Sequence, residues 1–302
     1  MHDLVIIGSS AAGLSAGIYA ARAGLDFVII EKDKGGNTAN AGLVENYLGT
    51  ISKSGLELYQ DFEAHAKQYN PKIVSGEVKR LSKEREVFIV ETDKEKHESK
   101  TVIVASGANH RKLGIEGEKE FENKGISYCE TCDGPIFKNK VVSVIGGGNS
   151  AIKAAFSLSK IASKVYIINI EDKFSAEKIY LDKIEKLSNI ELIYKAKTEK
   201  FEGENFLNKL TYEDLNSGER RSLDVDGAFI YVGLVPNTIF IDNDLEIINE
   251  NKEIIVDKFG KTKIEGLFAA GDVTDLPYRQ ISIASGAGAM AALVALEYIR
   301  KN

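Results

Sequence analysis

Apolar residues in this chain fall into short unbroken runs, beginning with Leu4-Val5-Ile6-Ile7. Runs without polar alternation read as strands buried on both faces of a parallel sheet. The first leads through Gly8-Ser9-Ser10-Ala11-Ala12-Gly13 into an alanine-rich stretch, Leu14 to Gly24, with helical spacing and a terminal glycine. Helices commonly stop that way. A second run, Phe27-Val28-Ile29-Ile30, closes at Glu31. The pattern predicts a βαβ unit with an acid at the tip of its second strand, an arrangement suited to a dinucleotide.

The same arrangement recurs at Val141 to Ile145, Gly146-Gly147-Gly148-Asn149-Ser150-Ala151, a helical stretch, and Lys164 to Asn169. Two nucleotide-binding folds are therefore expected. Between them, residues 72 to 105 include alternating segments such as Glu86 to Thr92, which predict a small antiparallel meander. A similar meander is expected around Leu207 to Tyr212 and Asp226 to Val232. A last strand, Gly266 to Ala270, gives way to Gly271-Asp272, and a helix from about Ser282 to Ile299 closes the chain.

A length of 302 residues favours two domains, and 43% hydrophobic residues suffice for substantial cores. No apolar run approaches the length of a membrane helix on this reading. The strand pattern from Asp3 leaves no room for a signal peptide. A single cysteine pair is unlike a secreted disulfide scaffold. The expectation is a soluble, cytoplasmic protein. A net charge of −6 and lysines interleaved with acids argue against a nucleic-acid partner.

The most informative chemistry is Cys129-Glu130-Thr131-Cys132-Asp133, which holds the only two cysteines. A C-x-x-C pair opens and closes as a disulfide without large backbone movement, and its first sulfur is usually the exposed nucleophile. This one lies just ahead of the second strand-glycine loop, so it is embedded in a nucleotide-binding unit. A structural zinc needs four cysteine or histidine ligands at tight spacing. His2, His65, His97 and His110 are scattered, so no metal is expected. Redox chemistry is the leading reading, and two inert thiols the bland alternative.

In order, the chain presents the first glycine loop, Val44-Glu45-Asn46-Tyr47-Leu48-Gly49, Cys129-Glu130-Thr131-Cys132-Asp133-Gly134 and the second glycine loop. Ile230-Tyr231-Val232-Gly233, Ala269-Ala270-Gly271-Asp272-Val273 and Arg279-Gln280 follow. Motif by motif, over essentially its whole length, it resembles the low-molecular-weight thioredoxin reductases. The Cys-x-Thr-Cys-Asp-Gly element is the discriminating part. The resemblance implies an α/β protein of two Rossmann-like three-layer ββα domains. The FAD domain would be discontinuous, at 1–112 and 237–302, and the dithiol domain would span 113–236. It also implies a homodimer. Rotation of the second domain is implied as well, about pivots near Lys112 to Gly114 and Gly233 to Asn237.

For FAD, the resemblance implies a pyrophosphate at Gly8, Ser10, Ala11, Ala12 and Gly13, and a ribose near Glu31 and Lys32. It places Gly271 and Asp272 at the ribityl chain, Arg279 and Gln280 along the isoalloxazine, and Asn46 near the flavin. Cys132 would lie against the ring. Cys129 would attack the disulfide of thioredoxin or a glutaredoxin-like protein. Asp133 would protonate the leaving thiolate, although Asp before Gly is also ordinary turn chemistry.

Two departures stand out. Ser10 and Ala11 replace the family's usual Gly-Pro, which bears on how closely phosphate approaches; the Ser10 hydroxyl is itself a candidate phosphate contact. In the second domain, Asn169, Ile170, Glu171 and Ser175 stand where NADPH-dependent relatives carry a His-Arg-Arg cluster and a later Arg. Lys153 and Ala154 replace glutamates common in relatives. Each charge-assisted hydrogen bond contributes about 1.5–3 kcal/mol, so losing two or three weakens NADPH roughly thousandfold. Lys173 is a poor substitute for a guanidinium fork. The expected donor is therefore ferredoxin, a reduced deazaflavin or NADH, with NADPH disfavoured. Two other readings stay open: a reductase partner of a peroxiredoxin, and a flavin-dependent redox sensor with a dithiol switch.

Overall fold

The structure, a computed structural model, describes residues 1–41 and 43–301, without the side chains of residues 43, 131 and 132. The chain divides into two compact units, Met1–Asn109 with Val235–Asn302, and His110–Leu234. These boundaries fall slightly before residues 112 and 236. The Arg111 N–H donates to the Gly233 carbonyl inside the second unit, and the Asn237 N–H to the Gly107 carbonyl inside the first.

In the first unit, β1 (His2–Ile7), α1 (Ala11–Arg22) and β2 (Phe27–Glu31) form the βαβ element. The main sheet runs Lys72–Ser75, β2, β1, Lys96–Val104, Val87–Thr92, Val78–Glu84, with Leu267–Ala269 paired to Lys96–Val104. Segment Lys72–Ser75 pairs parallel with β2, so it belongs to the parallel sheet and not to the meander expected over 72–105. The alternation of side chains along each strand sorts the core. Leu4, Ile6, Ile29 and Ile103 face α1 and the C-terminal helix. Val5, Ile7, Val28, Ile30, Val102 and Val104 face the opposite layer, with Leu81, Phe88, Val90 and the 240–256 segment.

The C-terminal helix, Ile281–Lys301, corrects one expectation. It has 21 residues, and an 18-residue window within it reaches a mean hydropathy of 1.5, so by length and composition it is long and apolar enough to cross a membrane. Its small residues pack instead on α1: Gly288, Ala291, Ala292 and Ala295 are buried. A Cβ on Gly288 would lie 2.0 Å from the Ala12 carbonyl oxygen, so the two backbones touch. Small side chains give little hydrophobic signal residue by residue, which hid the length of this run.

The second unit repeats the plan with α2 (Glu130–Asp133), β3 (Val141–Ile145), α3 (Asn149–Ser159) and β4 (Lys164–Ile168). Its parallel sheet runs Ile126–Ser127, Gly227–Ile230, β3, β4, Ile190–Ile193. The antiparallel meander is Ala196–Gly203, Leu207–Asp214, Glu219–Asp224. The expectation of a meander strand at Asp226 to Val232 is thus overturned. Gly227–Ile230 is a parallel strand beside β3, and its four residues are all buried. A run without polar alternation needs cover on both faces, which only the central sheet supplies.

Candidate functional site

The first site lies where β1 turns into α1. Gly8 has φ +111°, and a Cβ there would sit 2.2 Å from the Ala105 carbonyl oxygen. A Cβ on Gly13 would sit 1.8 Å from the Gly8 carbonyl oxygen. Both positions therefore require glycine, and the turn is compressed to bare backbone. The first N–H groups of a helix have no intrahelical partner, and the Ser10 side chain makes no cap bond to them. The start of α1 can thus receive an anion.

Ser10 departs from the expectation of a hydroxyl turned to phosphate. Its hydroxyl donates to the Gly35 carbonyl at 2.7 Å and lies 2.8 Å from the Thr38 hydroxyl. It braces the short helix Gly36–Ala39 against α1. With φ −92°, it occupies a backbone conformation open to any residue. Ala11 and Ala12 are buried in the first turn of α1.

Glu31 ends β2 with a buried carboxylate that accepts the Ser9 hydroxyl at 2.6 Å. The Tyr59 hydroxyl is buried with no partner in hydrogen-bond geometry. Burial, with Glu31 and Glu63 nearby, pushes its phenol up to about 12. Lys32 is exposed and pairs with Glu77 at 3.1 Å. Gly271 adopts φ +80° and packs against Ala12, placing Asp272 near the start of α1. Burial raises the Asp272 carboxyl above the usual carboxylate range, against the opposing pull of Arg279 and Asn37. The Arg279 guanidinium donates to Glu253 at 2.6 Å. Asn46 donates to the Gln280 side-chain oxygen at 3.0 Å, joining residues 234 apart in sequence. In this unit the residues fit a flavin dinucleotide: a glycine turn, a helix start, a buried acid at the second strand tip and a half-buried acid after Gly271.

The second site holds the dithiol. Cys129 is disulfide-bonded, and the chain has one other cysteine, Cys132, whose side chain lies outside the described residues. The Cys129 N–H donates to the Ser127 hydroxyl at 3.0 Å. That hydroxyl donates to the Asp133 carboxylate at 2.6 Å. The Asp133 N–H closes the turn on the Cys129 carbonyl at 3.1 Å. Asp133 is therefore fixed against the cysteine turn by one hydroxyl, an arrangement compatible with either expected role.

In the second βαβ turn, Gly146 has φ +139°, and a Cβ on Gly147 would meet the Asn169 side chain at 2.5 Å. Asn169 is buried at the tip of β4, and its amide donates to the Lys173 carbonyl at 2.8 Å. The Ser175 N–H donates to the Gly147 carbonyl at 2.9 Å. Glu177 and Asn149 exchange two bonds of 2.7 Å at the start of α3. Segment 169–177 is thus folded over the glycine turn, and Ile170, Glu171, Asp172 and Lys173 are exposed.

A family profile described as pyridine nucleotide-disulphide oxidoreductase matches residues 2–291. The chain belongs to that family. Within the pyridine nucleotide-disulphide oxidoreductases it falls among the low-molecular-weight thioredoxin reductases, which places it among flavoprotein disulfide oxidoreductases. It is 42% identical to the thioredoxin reductase of Ureaplasma parvum, over 100% of this chain and 98% of that one. It is 37% identical to the NADH dehydrogenase of Bacillus subtilis over 99% of this chain, but spans only 59% of that protein's length. The crystal structure of Lactococcus lactis thioredoxin reductase superposes with a TM-score of 0.97 at 34% identity, covering 100% of both chains.

Four residues of this family member escaped the sequence reading. Asn37 donates to the Ala108 carbonyl at 2.8 Å and pairs with Asp272. Tyr59 lies beside Glu31, Ser127 holds Asp133, and Tyr231 holds Glu130. Ser127, two residues before the first cysteine, carried a local signal. The other three reach their partners only through the fold.

Proposed function

We propose that the chain is an FAD-dependent thioredoxin-disulfide reductase with Cys129 and Cys132 as its working pair. The observation that carries this reading is the Cys129-Ser127-Asp133 turn, a disulfide-forming cysteine tied to a carboxylate inside the second nucleotide-type unit. The full-length match to a thioredoxin reductase supports it.

FAD would be held by the Gly8–Gly13 turn and the start of α1 at its pyrophosphate, by Glu31 and Lys32 at its ribose, and by Asp272 with Asn46, Arg279 and Gln280 farther along. When bound, it would supply a two-electron carrier between the external donor and the cysteine pair. The remaining steps belong to the protein. In the reduced pair, the Cys129 thiolate attacks one sulfur of the thioredoxin or glutaredoxin-like disulfide. A mixed disulfide forms and the partner's other sulfur leaves as a thiolate. Asp133, oriented by Ser127, would take up the proton released when Cys129 ionises and pass it to that leaving thiolate. Cys132 then attacks Cys129. This releases the partner's second thiol and restores the Cys129–Cys132 disulfide, so one dithiol is oxidised for each disulfide reduced. The protein would act in the cytoplasm as a homodimer.

For the donor, we read segment 169–177 as unsuited to the NADPH 2′-phosphate. The strand-tip residue is a buried amide turned inward, Glu171 and Asp172 repel an anion, and Ser175 bonds to Gly147. NADH, ferredoxin or a reduced deazaflavin remains. From a ferredoxin near −400 mV to a thioredoxin near −270 mV, two electrons release roughly 6 kcal/mol. Anaerobic titration of the oxidised protein with NADPH, NADH, reduced deazaflavin and reduced ferredoxin, followed by flavin bleaching and thiol counting, tests both parts. Micromolar NADPH should bleach slowly or not at all, and at least one other donor should yield two thiols per chain. Rapid bleaching by micromolar NADPH would overturn the donor reading. No thiol gain with any donor would overturn the reductase reading.

A further inference from the structure

Within the dithiol unit, Tyr231 and Glu130 are joined by two hydrogen bonds. The Tyr231 hydroxyl accepts the Glu130 backbone N–H at 3.0 Å and donates to the carboxylate of the same residue. The phenol is held from the side by His110, whose ring meets it edge-on at 6.0 Å. Glu130 lies inside the C-x-x-C motif, next to Cys129.

A carboxylate beside a cysteine opposes ionisation of the thiol, because like charges disfavour each other. One carboxylate lies within this motif and one directly follows it, and each accepts a hydroxyl: Asp133 from Ser127, Glu130 from Tyr231. Among the described residues, the His110 imidazole also feels the Glu130 charge, and other ionisable groups in this region have partners of their own. Tyr128, 6.2 Å from His110, donates to Glu118 at 2.7 Å, and the Lys112 ammonium sits over the Tyr128 ring and binds Glu122. On α3, the Lys153 ammonium stacks on Tyr180. Of these charges, Glu130 is the one adjacent in sequence to the attacking sulfur.

We propose that Tyr231 is a positioning residue for the dithiol: by clamping the Glu130 carboxylate, it keeps that charge from opposing the Cys129 thiolate. The inference rests on the reading of Cys129 as the attacking sulfur. It goes beyond that reading by assigning work to two residues outside the Cys-Asp set. The clamp favours thiolate at neutral pH while leaving the residue between the cysteines polar.

The test is the pH dependence of carbamidomethylation of Cys129 in full-length, FAD-loaded protein carrying Cys132→Ser, which makes Cys129 the sole thiol. Adding Tyr231→Phe should raise the apparent thiol pKa by about half a unit, roughly threefold less thiolate at pH 7. Adding Glu130→Gln to that variant should restore the original profile. An unchanged profile in Tyr231→Phe overturns the proposal, as does a shift that persists with Glu130→Gln. If Tyr231→Phe does not fold, Glu130→Gln alone decides the matter. A clamped carboxylate predicts little change, whereas a drop of half a unit or more shows the charge was never shielded. The assay needs neither donor nor thioredoxin, so the expected profile in a protein that reduces no thioredoxin would sink the functional reading alone. Failure of Cys129 to react at any pH would overturn both.

Discussion

The Ser127 hydroxyl donates to the Asp133 carboxylate at 2.6 Å and accepts the Cys129 N–H at 3.0 Å, so one oxygen ties the proposed proton source to the first cysteine. Removing it leaves the carboxylate in place without orientation. Ser127→Ala should lower disulfide-reductase turnover about tenfold, within the range of general acid-base contributions. Bound flavin should be unchanged. Steady-state rates with thioredoxin and the flavin-to-protein ratio check this; full turnover would remove Ser127 and Asp133 from the proton path.

Cys129→Ser should abolish thioredoxin reduction while retaining the yellow cofactor, because the cysteine and the flavin-type site belong to separate units. Turnover within twofold of the native protein would rule out Cys129 as the attacking sulfur.

Gly13 tolerates no side chain, since a Cβ would lie 1.8 Å from the Gly8 carbonyl oxygen. Gly13→Ala should cost about 3 kcal/mol through forced backbone movement. It should also deplete FAD, because the same movement displaces the start of α1. Thermal melting and flavin content read the two effects together.

Burial raises the Asp272 carboxyl above its ordinary value. An acid that holds its proton more tightly when folded contributes stability that is complete below its unfolded value, about pH 4. That stability is lost as pH rises through the folded value. Asp272→Asn removes the group, so the apo variant should melt above the native apo protein at pH 7 and level with it below about pH 4. FAD affinity should fall in the same variant. Lower apo stability at pH 7 would contradict this account.

Burial lowers the His97 imidazole, against a smaller opposing effect of Glu95, and leaves Nε2 without a hydrogen-bond partner. The unfolded chain therefore takes up the proton first, and stability is lost as pH falls from about 6.5 through the folded value. His97→Leu should flatten that loss, so its melting temperature should fall less between pH 7 and pH 5 than that of the native protein. His110, also lowered by burial, adds to the native slope.

Much of this protein is local and was legible along the chain. The two βαβ turns, the acid closing β2 and the cysteine pair are all encoded within a few residues. Short-range sterics settle them: glycine where backbone meets backbone, unbroken apolar runs where both sheet faces are covered. What the tertiary structure decided is where distant segments meet. It moved Lys72–Ser75 and Gly227–Ile230 into parallel sheets, because partner strands, not intrinsic preference, satisfy their backbone groups. It laid the apolar C-terminal helix on α1 through small residues whose role is contact. It turned the Ser10 hydroxyl to Gly35 and brought Tyr231 to Glu130, 101 residues away. A hydroxyl has no preferred partner in sequence; packing chooses it.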